Sequence, residues 1–547
     1  MAESDDLGAV GRFTEEIDWV VFLVGAGLTL TFIAAYLLAP EMVVGEDGEG
    51  GAIGFANTLF LEYINWAILL IVFLIVLFLL FLIVGPWGSI RFGDDPPEFS
   101  FLSFFAMLYS AGFAAGVVFW GPTEALFYYD SPSPLFGAEG GTSEAMTLAV
   151  QQTIFHWALP QLAVFTIMGI AIGYFAYNYE NVPLRVSSIL TPFIGADRLD
   201  GPLAKVVDIF AVFATIGGVA TSLGFIGSQF VTGLDYQWGI NLGDTGIILV
   251  VIGMTLLFTL SMVLGVNRGI RRLSNFNMIL FVALMLATFI VGPTMFLVLL
   301  GTQAFGGMLT DFVSMSLFTG SGVEGGTEWS NTWTVFYWAW ALSWAPFAGL
   351  FIARISRGRS VREVAFTGIA ATSAATIPWF TFVGGTAVWA EHNGVATFLG
   401  DPEFSADVAG FILFETFPFG TVFMLAFMIL VTSFFVTSAD SSTLAVSMMT
   451  TGGKAKPSNI NRIFWGVMLG ATAGILMVLS VEGVEALQSA AVITGGPFAF
   501  VCLIALIGLV KEFSSSHGRV LLQDETRIIG SQTEDTPQRD VVPGDDD

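Results

Sequence analysis

The 547-residue chain contains one cysteine, three histidines, and 19 lysines and arginines against 45 acidic residues. Each scarcity excludes something. The single cysteine, Cys502, cannot form an intramolecular disulfide, and its place in an apolar run suits a small buried side chain. There is no HExxH, no phosphate-binding glycine loop, no pair of metal-binding cysteines and no Ser/His/Asp set, so neither a membrane enzyme nor a bound organic cofactor is expected. A net charge of −26 leaves no basic surface for nucleic acid. Charge of either sign is rare at 12% of residues, and none lies from Tyr63 to Ile90, a stretch long enough to cross a hydrocarbon core of roughly 30 Å. A cleaved targeting signal is not expected, because Met1–Glu16 is acidic and the apolar run after it is too long for a signal core.

Apolar residues are what the chain has in abundance. They make up 55% of it, with a mean hydropathy of +0.78, far above a soluble domain of this length. The expectation is an all-α polytopic membrane protein with about twelve transmembrane helices. They fall near 17–39, 63–84, 101–128, 149–177, 205–233, 245–265, 276–300, 329–353, 363–389, 410–438, 460–481 and 487–510. The tenth should begin nearer Gly420 and run toward Met449, because Glu415 and Pro418 sit poorly inside a span. Six alternate connections, 40–62, 129–148, 234–244, 301–328, 390–409 and 482–486, contain neither lysine nor arginine. The others carry Arg91; Arg185 and Arg198; Arg268, Arg271 and Arg272; the Arg354–Arg362 cluster; and Lys454, Lys456 and Arg462. Positive residues gather on the cytoplasmic side, so a multi-pass protein of the cell membrane with both termini cytoplasmic is expected. On this reading 1–16 is an acidic N-terminus, 17–510 the membrane domain and 511–547 an acidic tail, expected to be disordered. The acidity lies in loops and tail and leaves the helices alone, which suits a surface adapted to high salt, where screening suppresses self-repulsion.

Two segments are interrupted. The third reads SAGFAAGVVFWGPTE over Ser110–Glu124, with Gly112, Gly116, Gly121 and Pro122; the eighth contains SWAPFAG, Ser343–Gly349. Interrupted helices at matched places in two halves mark the binding region of transporters built from inverted repeats. Segments 3–7 (101–300) and 8–12 (329–510) would then be the repeats, and segments 1–2 (17–84) an addition. In the eighth segment Trp333, Tyr337, Trp340 and Trp344 are spaced by four, three and four, so they share one helix face. Such a face either packs against another helix or lines a pocket for a cation. Glu124 and Asp440 are the carboxylates nearest the membrane interior; either a functional charge or a place at a helix end accounts for Glu124. His156 is expected to be simply hydrogen-bonded.

Several runs resemble the betaine/choline/carnitine transporter (BCCT) family from the first segment to about Lys511. They are AAGVVFWGPTEALFYY in the third segment, FHW in the fourth, SLGFIGSQ in the fifth, GVNRGIRRLSNFNM over Gly265–Met278, the Asn331–Arg362 stretch, FFVTSADSSTLAVSMMT over Phe434–Thr450, and LQSAAVITGGPFAF. The resemblance implies a LeuT-like 5+5 inverted repeat with two extra N-terminal helices, and assembly as a homotrimer. Met308, Phe312 and Met315 form an apolar stripe available to a neighbouring copy. It also implies transport of a small zwitterionic quaternary ammonium or sulfonium solute for osmoprotection, with the methylated cation held against aromatic faces. Carried over residue by residue, the substrate positions are Trp157, Phe165, Trp340 and Trp344, with Gly112 and Ala114 in the interrupted third helix. The chain departs from the pattern where Leu162 and Ala341 replace expected tryptophans and Phe165 replaces a tyrosine. A coupling sodium ion would take oxygens from Ser110, Phe113, Phe434, Thr437 and Ser438; a second position would use Thr215 and Phe347, weakened because Val219 replaces a second threonine. Sodium symport is the leading expectation. Cation-independent exchange of related zwitterions and a channel-like pore are the alternatives.

Overall fold

Lipid offers a backbone no hydrogen-bond partners, so long apolar runs cross a bilayer as helices that satisfy their own amides. The computed structural model describes residues 8–44, 51–112, 114–263, 267–400, 405–454, 456–479 and 485–515. Among them the protein is all-α, and the only strand-like feature is an isolated bridge between Arg91 and Ser360. The principal helices are α1 (Trp19–Leu38), α2 (Asn65–Val84), α3 (Phe101–Gly112), α4 (Ala114–Trp120), α5 (Glu124–Asp130), α6 (Ser143–Trp157), α7 (Leu159–Asn178), α8 (Pro202–Trp238) and α9 (Gly243–Val263). They continue with α10 (Asn267–Val291), α11 (Thr294–Ser316), α12 (Phe336–Ile355), the helical run α13 (Val361–His392), α14 (Gly420–Met449), α15 (Asn459–Leu479), α16 (Glu485–Gly495) and α17 (Phe498–Phe513). Nine helical runs among the described residues are long and apolar enough to span a membrane.

Helix ends follow local chemistry. Asp18 caps α1 by accepting from the amides of Val20 (3.1 Å) and Val21 (3.3 Å), and the same oxygen takes Lys205 Nζ at 3.1 Å. That one carboxylate ties the start of α1 to the start of α8. Proline opens α8 at Pro202, and α8 closes on Gly239 in the left-handed conformation, φ 63°. The tenth span runs from Gly420 to Met449, past Glu415 and Pro418.

Four expectations change. The seventh segment, read over 276–300, ends at Val291, because Pro293 cannot continue it; Thr294 Oγ1 satisfies the freed Phe289 carbonyl at 2.7 Å and starts the separate helix α11. The Met308–Phe312–Met315 stripe on α11 faces this chain rather than a neighbour. Met308 and Met315 are buried, Gln151 Nε2 meets Met315 Sδ at 3.6 Å, and the Phe312 ring lies 5.8 Å from that of Phe155. The fourth segment, read as one span, breaks at Ala158 (φ −99°, ψ −124°) just before Pro160. The eighth segment, read as interrupted, is a continuous helix through Pro346 and Gly349. Gly349 serves close packing instead of a break: a Cβ there would lie 2.5 Å from Met168 Cβ, and one on Gly169 would lie 2.4 Å from Ile352. Small residues thus let α7 and α12 approach closely, as helices in lipid do.

Among the described residues, the basic side chains collect at one end. Arg362 donates to the carbonyls of Ile83 (2.8 Å) and Gly85 (2.9 Å), Arg91 to that of Gly358 (2.5 Å), and the Arg359 guanidinium sits 4.1 Å over the Phe104 ring. Around the same end, Glu16 accepts from Ser458, Arg185 reaches Asp208 at 3.7 Å, and Lys511 donates to the Pro192 carbonyl at 2.7 Å. The opposite end is joined by neutral and acidic contacts, among them Thr123 to the Ala406 carbonyl (2.8 Å) and Ser228 to Asp407 (2.7 Å).

Candidate functional site: an aromatic cage between α7 and α12

The break at Ala158 lets the last turn of α6 present Trp157 to the same cavity as Gln161 and Phe165, which lie four apart on one face of α7. α12 lies across from them and presents Trp340, Ala341 and Trp344. These six residues and Gly116 of α4 line one small cavity of about 10 Å³, so the rings stand close together around it. The four rings expected to hold substrate therefore converge. Leu162 is buried outside the lining, whereas Ala341 is part of it.

Each indole N–H is committed to the scaffold. Trp344 Nε1 donates to the Gly218 carbonyl at 3.0 Å; Trp340 Nε1 donates to Ser222 Oγ at 3.1 Å and lies 3.4 Å from the same carbonyl. Gly218 must be small, since a Cβ would lie 1.9 Å from Ser343 Oγ. Gly116 is under the same constraint: a Cβ there would fall 2.7 Å from the Trp157 ring and 2.8 Å from that of Trp340. Trp157 stands edge-on to Trp340 (5.9 Å between centroids, 89°) and stacks on Phe380 (5.0 Å, 24°). With the polar edges engaged elsewhere, the ring faces are what the cavity offers, and these attract cations.

Trp157 Nε1 donates to Glu124, which is fully buried, so the carboxylate does not lie at an exposed helix end. Glu124 Oε1 also accepts from Tyr128 Oη at 2.9 Å and lies 2.9 Å from His156 Nδ1. On the other side of the imidazole, Nε2 has Gln152 Nε2 at 3.0 Å and Thr334 Oγ1 at 3.1 Å. With the Gln152 amide donating, His156 accepts at Nε2 and carries its proton at Nδ1, toward Glu124. The Tyr337 ring stacks on His156 at 4.6 Å. A buried carboxylate is tolerable only when so surrounded by donors.

The expected cation ligands divide into three groups. Thr437 Oγ1 bonds its own helix, at 3.0 Å to the Phe434 carbonyl and 3.3 Å to that of Ser433, while Ser438 Oγ is buried without a partner among the described residues. Asn277 of α10, which the sequence reading did not single out, donates Nδ2 to Thr437 at 3.4 Å and leaves Oδ1 buried and unpartnered. Elsewhere, Thr215 Oγ1 is buried and unpartnered, and Phe347 is fully buried beside Trp344 at 5.7 Å. Phe113 lies outside the described residues, as do the side chains of Ser110, Gly112 and Ala114, whose backbones belong to α3 and α4. No cluster of three His, Cys, Asp or Glu side chains exists among the described residues, so the oxygens on offer are hydroxyl, amide and carbonyl. That donor set suits a hard monovalent cation and carries no fixed charge. Asp440 pairs with Arg462 at 3.4 Å instead of facing this group.

A family model described as BCCT, betaine/carnitine/choline family transporter, matches residues 20–518. The chain belongs to the BCCT family. It is 37% identical over 481 residues to the glycine betaine transporter OpuD of Bacillus subtilis (strain 168), covering 87% of this chain and 92% of that one. It is 34% identical over 500 residues to a probable glycine betaine transporter of Desulfitobacterium hafniense (strain Y51), covering 91% and 98%. Among solved structures, the amino-acid complex of MhsT with L-phenylalanine aligns over 80% of this chain and 97% of that one, at 15% identity and a TM-score of 0.42. The BCCT protein described here is thus a membrane-embedded, multi-pass transporter of the betaine/choline/carnitine type, and not an enzyme. Gln161 in its cage, like Asn277, was missed by sequence reasoning, whereas Gly116 was read only as part of the interrupted third segment. For Gln161 the signal was present, four residues after Trp157 and four before Phe165.

Proposed function

We propose that this transporter imports a small zwitterionic compatible solute, coupled to sodium and serving osmoprotection, with the cationic end of the solute between α7 and α12. The carrying observation is the convergence of Trp157, Phe165, Trp340 and Trp344 on one cavity, with all three indole N–H groups bonded away from it. The names of the relatives favour glycine betaine or a near analogue. Sodium would sit at Ser438 and Thr437 with the Phe434 carbonyl, and with the backbone of Ser110 and Phe113. Ser438 fits best, because its buried hydroxyl lacks a partner and an oxygen-seeking cation would supply one. A second ion at Thr215 and Phe347 has one such hydroxyl in its favour and Val219 against it. The gathering of basic groups at one end supports both termini at the cytoplasmic face of the cell membrane. The net charge of −26 supports a high-salt setting. Assembly as a homotrimer would use an outward face of α11, such as Leu299, Leu309 and Val313, since its methionine stripe is already covered.

Uptake into proteoliposomes under a sodium gradient, with glycine betaine, choline, carnitine, ectoine and a sulfonium solute, tests this reading. Accumulation that survives replacement of sodium by potassium would exclude sodium coupling and favour the exchange alternative. Counterflow separates a carrier from a pore: labelled solute entering against unlabelled solute marks a carrier, whereas unsaturable voltage-driven current marks a pore.

A further inference from the structure

Every lining residue of the cage is apolar or aromatic except Gln161. Its side chain is 5% exposed, and its Oε1 is buried with no hydrogen-bond partner among the described residues. This is an anomaly where Trp157, Trp340 and Trp344 each have their polar atom satisfied. A buried acceptor left unpaired is costly, and a site that contains one discriminates against any ligand unable to satisfy it. A fully methylated ammonium is such a ligand, since it has no N–H to donate. In a cage of rings alone that inability is harmless, and it is the ligand with an N–H that suffers, because its donor is desolvated without an acceptor. One amide oxygen among the rings reverses the preference.

We infer that Gln161 is a specificity-determining residue, and that the preferred solute is a zwitterion whose cationic nitrogen keeps at least one N–H, donated to Gln161 Oε1 while the remaining substituents face Trp157, Trp340 and Trp344. The placement supports this. Gln161 stands one helical turn from Phe165 on α7 and lines the same cavity as Trp157, so its amide reaches the volume that the rings enclose. Ala341 on the facing helix lines the same cavity with a small side chain. The inference rests on the transport reading given above and narrows the class of solute.

N,N-dimethylglycine and glycine betaine differ by one methyl group, exchanged for one N–H, and form a matched pair of probes. Binding of each to the full-length purified protein would be measured by calorimetry in sodium buffer at neutral pH, alongside counterflow in proteoliposomes. The wild type should bind dimethylglycine about fivefold tighter than glycine betaine, as one charge-assisted hydrogen bond outweighs one methyl contact. Gln161→Leu should remove this preference or turn it toward glycine betaine, chiefly by weakening dimethylglycine. Gln161→Met, closer in shape, serves the same purpose if the leucine variant does not fold. A wild type that binds glycine betaine as tightly as dimethylglycine or tighter overturns the inference, as does a ratio unchanged in the variants. If both solutes still exchange in counterflow, the transport reading stands and only the role of Gln161 falls. Binding of neither removes both.

Discussion

The aromatic cage and the hydroxyl cluster of α14 are both buried, yet the rings of the first and the oxygens of the second handle their polar atoms in opposite ways. In the cage, each indole N–H is spent on a scaffold acceptor, the Gly218 carbonyl, Ser222 or Glu124, and Gly116 and Gly218 make room for the rings. Around α14, Ser438 Oγ and Asn277 Oδ1 have no partner among the described residues. A ring that recognises a cation through its face works best when its edge is fixed by hydrogen bonds, because the geometry is then set before the ligand arrives. An oxygen that coordinates a cation must instead keep a lone pair turned toward it. The contrast also separates two neighbours of the same type: Thr437 is bonded to its own helix and Ser438 is not.

The largest effect should come from removing the support beneath the cage. Glu124→Ala strands the donor of Trp157 and leaves Tyr128 and His156 only each other, at 2.9 Å, which at about 1–3 kcal/mol per buried unsatisfied group should destabilise the protein by ~1–3 kcal/mol. Thermal unfolding in detergent measures this, and Glu124→Gln should recover part of the loss. An unchanged melting temperature would mean that Glu124 does not hold the ring in place.

Next in size is the ring itself. Trp344→Leu should weaken binding of the preferred solute about tenfold, near ~1.4 kcal/mol, while Trp344→Phe should keep part of the affinity. Equal affinities in the two variants would show that size, and not ring electrostatics, sets recognition.

The cation region should respond unevenly. Ser438→Ala should raise the sodium concentration for half-maximal uptake about fivefold, roughly 1 kcal/mol, and Thr437→Ala should raise it less, because the Thr437 oxygen already accepts from Asn277. Equal effects would erase the distinction drawn from their hydrogen bonds. The smallest change expected is from Ala341→Trp, which adds a face to the cage. It should tighten glycine betaine only a few-fold, on the order of 0.5–1 kcal/mol, and titration of that solute against the variant decides it.

Much of the fold was legible because hydropathy and helix-breaking residues are local properties. The charge-free run from Tyr63 to Ile90 contains α2, and Glu415 with Pro418 explains why the tenth span begins at Gly420. The misreadings came where one residue type has two uses. Gly349 looked like an interruption and is a packing contact with Met168; Pro160, not singled out in the sequence, accompanies the break beside Trp157. Pro293 ended a span that composition alone carried on to residue 300.

Sequence by itself determined that this chain is a helical membrane protein, that its basic residues lie in alternate connections, and that Trp157, Phe165, Trp340 and Trp344 are the rings to watch. Those conclusions depend on composition, spacing and family text, all readable along one dimension. Only the tertiary structure decided that Gln161 joins those rings, that Glu124 is buried beneath Trp157, and that Ser438 is uncommitted while Thr437 is not. These depend on which atoms from distant helices arrive within about 3 Å of one another, the range over which hydrogen bonds are made or missed. The spacing of residues along a single helix carries no information about that.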